Sequence, residues 1–299
     1  MNNDKFLKSK IYFVSAGPGD PELLTVKAAK ILKKSDAVFY AGSLINPLML
    51  KIIKKGAELI DLKSLNFEEI KTKVENILTI NERNSGGAGS VPVKGGKVEK
   101  YGRAVKDGKV GKRGITVISI LHAGDSSIYS AINEQMAYLE EMGAEYEIIP
   151  GVTAAFAASA ANKSILTLPD VSQTVIFCRG EGRTGRMPEG QDIKSLAKHG
   201  ATMAIYLSFG LIKSVSEDLL ESYSEDTPCL IAKDVSLKSQ FLINCKLKDV
   251  VKKAEEFSIK NMAVLIVGEA LNGKYFKNNK SKLYDKNFYH GYRDSSAGL

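Results

Sequence analysis

The chain has 299 residues, 44% hydrophobic and 25% charged, with a formal net charge of +8. That composition is ordinary for a globular protein and excludes a fibrous or wholly disordered chain, and the length predicts two domains. Residues 81–113 carry a net +6 and residues 272–299 a net +4, which leaves the body at −2, so no nucleic-acid partner is expected. Cys178, Cys229 and Cys245 have no C-x-x-C spacing and no neighbouring histidines, so they read as reduced, buried thiols and no metal site is expected. Ahead of Gly17 only residues 11–15 form an apolar run, too short for a signal-peptide core, and no stretch is long enough to cross a bilayer. The expectation is a cytoplasmic protein with no membrane partner.

In chain order, apolar and helical patterns alternate through the first half, which predicts a parallel sheet with crossover helices. Residues 11–15, 36–40 and 57–61 read as strands, and residues 23–34 and 67–80 as helices. Asn46-Pro47 is a capping residue followed by proline at the first helical position, and that helix is expected to run to about residue 55. Residues 81–113 hold eight glycines and few large apolar side chains, too little to offset their ordering entropy, so a mobile insert is expected there. Residues 115–121 and 145–149 read as strands and 127–142 and 153–163 as helices. After Pro169-Asp170 come strands at 174–178 and 202–207, helices at 193–198 and 211–221, a strand pair at 229–233 and 240–244, and a last strand at 262–268. This half predicts a mixed sheet. The expected organisation is an N-terminal α/β domain over 10–150, a C-terminal α/β domain over 151–271 and a basic aromatic tail over 272–299.

Three segments sit where a strand gives way to a helix: Gly17-Pro18-Gly19-Asp20-Pro21-Glu22-Leu23-Leu24-Thr25, Leu121-His122-Ala123-Gly124-Asp125-Ser126-Ser127-Ile128-Tyr129 and Pro150-Gly151-Val152-Thr153-Ala154. Glycine admits a ligand close to the backbone, and fresh helix N-termini offer free N–H groups. The first segment fails the dinucleotide pattern because Glu22 stands at the third glycine position, and no Gly-Lys-Ser/Thr follows for a P-loop. From the residues alone, Asp125 and Thr153 are equally helix caps, His122 a structural histidine, and the first segment a plain strand-to-helix turn.

Together and in this order the segments resemble the tetrapyrrole (corrin/porphyrin) methyltransferases. The resemblance implies a two-domain α/β fold with a parallel N-terminal sheet, a mixed C-terminal sheet and an active-site trough between them. It further implies S-adenosylmethionine as cofactor and a homodimer. The family's central loop reads Gly-Asp-Pro-x-(Ile/Leu)-Tyr-Gly; Ser126 here replaces its proline, Ser130 its last glycine, and Ile120 an arginine common before the Leu-His pair. These departures put loop rigidity and one electrostatic contact in question. By resemblance the cofactor positions are Pro18, Ala123, Gly124, Asp125, Ile128, Thr153, Ala154, Leu207 and Val235.

The run Arg179-Gly180-Glu181-Gly182-Arg183-Thr184-Gly185-Arg186-Met187-Pro188-Glu189 resembles one found in the family's precorrin-4 C11-methylating members, and so does the segment from Tyr40 to Pro47. A corrin precursor bears a ring of carboxylates, which arginine recognises through its fork of donors. Arg179, Glu181, Arg183, Arg186 and His122 are the expected substrate-binding residues; the competing reading of the run is a solvated charged loop. No catalytic base is visible, in keeping with transfer from an already activated sulfonium, where positioning supplies much of the rate. The alternatives are another precorrin or uroporphyrinogen methyltransferase, an RNA methyltransferase of the same superfamily, and a non-catalytic S-adenosylmethionine-binding protein.

Overall fold

A computed structural model describes residues 9–83, 116–182 and 185–273, with 279, 281, 283, 285, 288 and 289 singly. The expected insert beyond Arg83 and most of the tail lie outside the described residues. Compactness divides the chain between Val152 and Thr153 into two units, each built on a five-stranded sheet.

In the first unit, strands β1 (Ser9–Ser15), β2 (Ala37–Tyr40), β3 (Glu58–Asp61), β4 (Thr116–His122) and β5 (Tyr146–Ile149) are ordered β3-β2-β4-β1-β5. All four pairings are parallel. Successive side chains of a strand point to opposite faces. Ile11 and Phe13 of β1 therefore join Ile118, Ile120 and Phe39 on one face, under Val74 and Leu78 of α3 (Phe67–Arg83) and Leu139 of α4 (Asn133–Glu141). Val14, Val38, Leu121 and Ile149 occupy the other face, under Ala28 and Leu32 of α1 (Val26–Leu32) and Met49 of α2 (Pro47–Leu50).

Helix boundaries differ from the sequence expectation in α1, α2 and α4, and α3 runs three residues past its expected end. After Leu50 the α2 backbone tightens to bonds three residues apart, Lys51 N to Leu48 O through Ile53 N to Leu50 O, so the helix is one turn long. The helix expected from residue 127 begins only at Asn133, because Tyr129 adopts φ 54°, a left-handed conformation that a helix cannot include. The first helix begins at Val26, after a 3-10 turn over Pro21–Leu23.

In the second unit, β6 (Val175–Arg179), β7 (Thr202–Tyr206), β8 (Pro228–Lys233), β9 (Phe241–Lys246) and β10 (Ala263–Val267) are ordered β6-β7-β10-β8-β9. Only β6 and β7 pair in parallel; the other three pairings are antiparallel. One face, with Met203, Ile205, Ile231 and Leu265, packs under α6 (Ile193–Ala197), α7 (Ile212–Leu220) and α8 (Val250–Glu256). The other carries Ala204, Ala232 and Ile266, fully buried, and the alanine-rich α5 (Ala154–Ala161) lies against β10. The alanines of α5, with Ala204 and Ala232 on the flanking strands, permit that approach. Cys178 and Cys229 are buried as expected, whereas Cys245 is only half-buried, because β9 is an edge strand. Cys229 faces Cys245 across the β8–β9 ladder, and burial pushes the Cys178 thiol up to about 12 and that of Cys245 to about 11.

Candidate functional site

Sheet topology decides where the glycine segments gather. β1 and β4 are neighbours, but the chain leaves β1 toward β2 on one side and leaves β4 toward β5 on the other. Ligands of open α/β sheets bind beyond the carboxyl ends of the strands at such a switch point. Gly17 and Gly124 meet there as a β-bridge, each donating its N–H to the other's carbonyl at 3.0 and 2.8 Å, with φ of 71° and 69°. From the end of β5, Gly151 closes against them so tightly that a Cβ would stand 2.5 Å from Ser15 Cβ and 2.6 Å from the Gly124 carbonyl oxygen. Pro18, Ala123, Gly124, Asp125 and Ile128 thus gather along one edge of the first unit.

Asp125 ties these loops together. Its Oδ1 accepts from the Ser127 N–H at 2.9 Å and from the Ser127 hydroxyl, and its Oδ2 accepts from the Gly151 N–H at 2.7 Å. Partial burial pushes the carboxyl up, but the Gly151 and Ser127 bonds more than offset it and hold it below the usual carboxylate range. It does not cap α4, whose start has no side-chain cap.

The two serine departures are both hydrogen-bonded. The Ser126 N–H donates to Ser15 Oγ at 2.9 Å, a bond proline cannot make, and the two hydroxyls lie 3.0 Å apart in a buried setting. Ser130 Oγ stands 2.7 Å from His122 Nδ1. His122 ends β4 on the face that holds Phe13, its ring 6.0 Å away, and Nε2 is enclosed with no partner among the described residues. Burial pushes its pKa down to about 4, so near neutral pH the ring is uncharged and pairs with no carboxylate as a cation.

In the second unit β10 lies antiparallel to both β7 and β8, so β6, β7 and β8 all point their carboxyl ends to one edge. Leu207 follows β7 at φ 55° and is 73% exposed. Val235 follows β8 between Asp234 at φ 50° and Ser236 at φ 64°. Left-handed non-glycine residues cost on the order of 1–3 kcal/mol each and concentrate at functional loops. Thr153 and Ala154 open α5 at the same edge, where Thr153 Oγ1 lies 2.8 Å from Tyr206 Oη. Thr153 occupies the N-cap position, yet its side chain does not cap; Tyr206 Oη accepts the Ala155 N–H instead, at 3.2 Å. The sequence resemblance covers the segment Tyr206-Leu207-Ser208 but assigns only Leu207, and gives Tyr206 no role. The available signal was a hydroxyl-bearing aromatic at the end of a strand with an exposed neighbour.

Arg179 is the last residue of β6 and the register partner of Tyr206. The Gly180 N–H donates to Ser208 Oγ at 2.6 Å, and Ser208 Oγ donates to the Tyr206 carbonyl at 2.6 Å, which stitches the arginine segment to the Leu207 turn. Gly182 and Gly185 bridge, and a Cβ on Gly185 would lie 3.9 Å from Arg179 Nη2. Glu181 and Arg186 are exposed beside this turn. Arg183 lies outside the described residues.

Glycine-lined loops at the switch point of a parallel sheet, and strained strand ends on a mixed one, define a two-unit α/β protein. The chain belongs to the tetrapyrrole (corrin/porphyrin) methylases, matching that family over residues 10–251. It is 42% identical to a cobalt-precorrin-4 C(11)-methyltransferase of Methanocaldococcus jannaschii over 99% of this chain and 98% of that protein. It is 36% identical to one of Priestia megaterium, over 95% and 97% of the two chains. Among solved structures, a cobalt precorrin-4 methyltransferase superposes with a TM-score of 0.74 at 32% identity, over 91% of this chain and 98% of that one.

Proposed function

We propose that this protein transfers a methyl group from S-adenosylmethionine to C11 of cobalt-precorrin-4 in cobalamin biosynthesis. The observation that carries the reading is near full-length identity of 42% to a relative bearing that name. S-adenosylmethionine, when bound, supplies an activated methyl group. The residues fit such a ligand: the Gly17 and Gly124 backbones pair directly at positive φ, Gly151 closes against them with no room for a side chain, and Leu207 stands exposed on a strained turn. Pro18, Ala123, Gly124, Asp125 and Ile128 are assigned to the cofactor in the first unit, and Thr153, Ala154, Leu207 and Val235 in the second. Asp125 acts by holding two of these loops in place.

Arg179, Arg183 and Arg186 are assigned to substrate carboxylates, with Glu181 beside them. His122, neutral and bonded to Ser130, is not proposed as a carboxylate partner. The protein is proposed to act in the cytoplasm as a homodimer. Anaerobic turnover with cobalt-precorrin-4, metal-free precorrin-4 and uroporphyrinogen III tests the substrate. Product should form fastest from cobalt-precorrin-4; a preference for uroporphyrinogen III would overturn the assignment.

A further inference from the structure

A threonine at an N-cap ordinarily turns its hydroxyl back onto an N–H of its own first turn. Thr153 does not, although its backbone is in the extended N-cap conformation and its residue is 4% exposed. The N–H it would cap, that of Ala155, already donates to Tyr206 Oη at 3.2 Å, and the Thr153 hydroxyl is held by the same phenol at 2.8 Å. The phenol is in turn fixed from behind. Its ring meets Phe177 edge-on at 6.2 Å, and Phe177 meets Phe156 of α5 edge-on at 5.7 Å. One tyrosine therefore caps the helix and sets the direction of the threonine hydroxyl, while its own position is fixed by an aromatic row spanning β6, β7 and α5.

We infer that Tyr206 is a positioning residue for cofactor binding, acting through the Thr153 hydroxyl. This rests on the assignment of Thr153 to the cofactor. Displacing capping from Thr153 to Tyr206 leaves the threonine oxygen with a fixed orientation and a valence that its own helix does not use. A hydroxyl with one partner already set loses less freedom when a ligand arrives, which is the general advantage of preorganisation. Arg179 is the register neighbour of Tyr206 on β6, and the Tyr206 main-chain carbonyl, through Ser208 and Gly180, ties the same strand end to the arginine turn.

The test is a double-mutant cycle read as affinity for S-adenosylhomocysteine by calorimetry on the full chain. Thr153→Val and Tyr206→Phe are each expected to weaken binding by about tenfold, the scale of one lost hydrogen bond. The double variant is expected to be no weaker than Thr153→Val alone, because the phenol acts through the threonine. If Thr153→Val binds as wild type, the assignment of Thr153 to the cofactor fails. If Thr153→Val is impaired while Tyr206→Phe is not, or if the two losses multiply, the positioning role fails and the cofactor assignment stands. Thr153→Ser, in the native Tyr206 background, covers the case of a Tyr206→Phe chain that does not fold. Serine lacks the β-branch that stiffens threonine, so with the phenol orienting the hydroxyl it should bind within about twofold of wild type. A loss as large as that of Thr153→Val would overturn the proposal.

Discussion

His122 shows how a residue's surroundings redirect its chemistry. At the end of β4, beside two glycine loops, its sequence position offers both a substrate-binding residue and a structural histidine. Its place on the Phe13 face, with Nδ1 on Ser130 and Nε2 enclosed, makes the neutral ring the stable form. The sign of the pH effect follows. The unfolded chain takes up this proton near 6.5 and the folded chain only near 4, so the stability due to His122 is full above 6.5 and falls as the pH drops through that window. The loss reaches up to about 3 kcal/mol. Urea unfolding of wild type and His122→Gln at pH 7 and pH 4.5 checks it: the variant should lose less stability on acidification, and equal losses would contradict the burial argument. Asp125 and Thr153 follow the same logic, since each was legible as polar and loop-borne while its partners, Gly151 26 residues away and Tyr206 53 away, were not.

At the scale of the element, the central glycine loop owes its shape to hydrogen bonds that its family's usual residues do not make. Proline at 126 would remove the N–H that donates to Ser15 Oγ and leave that buried hydroxyl short of a partner. Ser126→Pro should therefore destabilise this chain by about 1–3 kcal/mol, although it restores the family's common residue. In a Ser15→Ala background the same change should cost less, because the lost bond is shared; thermal unfolding of the four chains decides this, and full additivity would show that the pair is not coupled. Strand positions and the parallel and mixed character of the two sheets were legible from apolar runs and turn residues. Helix boundaries were less so, because Tyr129 departs from helical φ and the chain after Leu50 tightens with no glycine or proline in either place to announce it. Helix α8 was missed. Its buried stripe is only Val250 and Ala254, too narrow a pattern among lysines and glutamates to stand out from a surface loop.

For the whole molecule, the proposed binding edge of each unit is a consequence of strand order, which no local pattern reveals. Gly17 and Gly124 were visible as glycines after strands, but their pairing requires β4 to insert between β2 and β1. Arg179 and Leu207 share an edge because β6 and β7 pair in parallel, and Val235 joins them because β10 runs against both β7 and β8. Motif resemblance supplied the family and the methyl-transfer reading, and topology supplies the reason those motifs gather where they do. No described helix is long and apolar enough to cross a membrane. The proposed transfer places a methyl group on one particular carbon, and the most direct measurement is carbon NMR of the product formed anaerobically from cobalt-precorrin-4 and S-adenosylmethionine labelled with carbon-13 in its methyl group. A single enriched methyl resonance attached to C11 is the predicted result; enrichment at another ring carbon, or no enrichment from protein that binds S-adenosylhomocysteine, would contradict it.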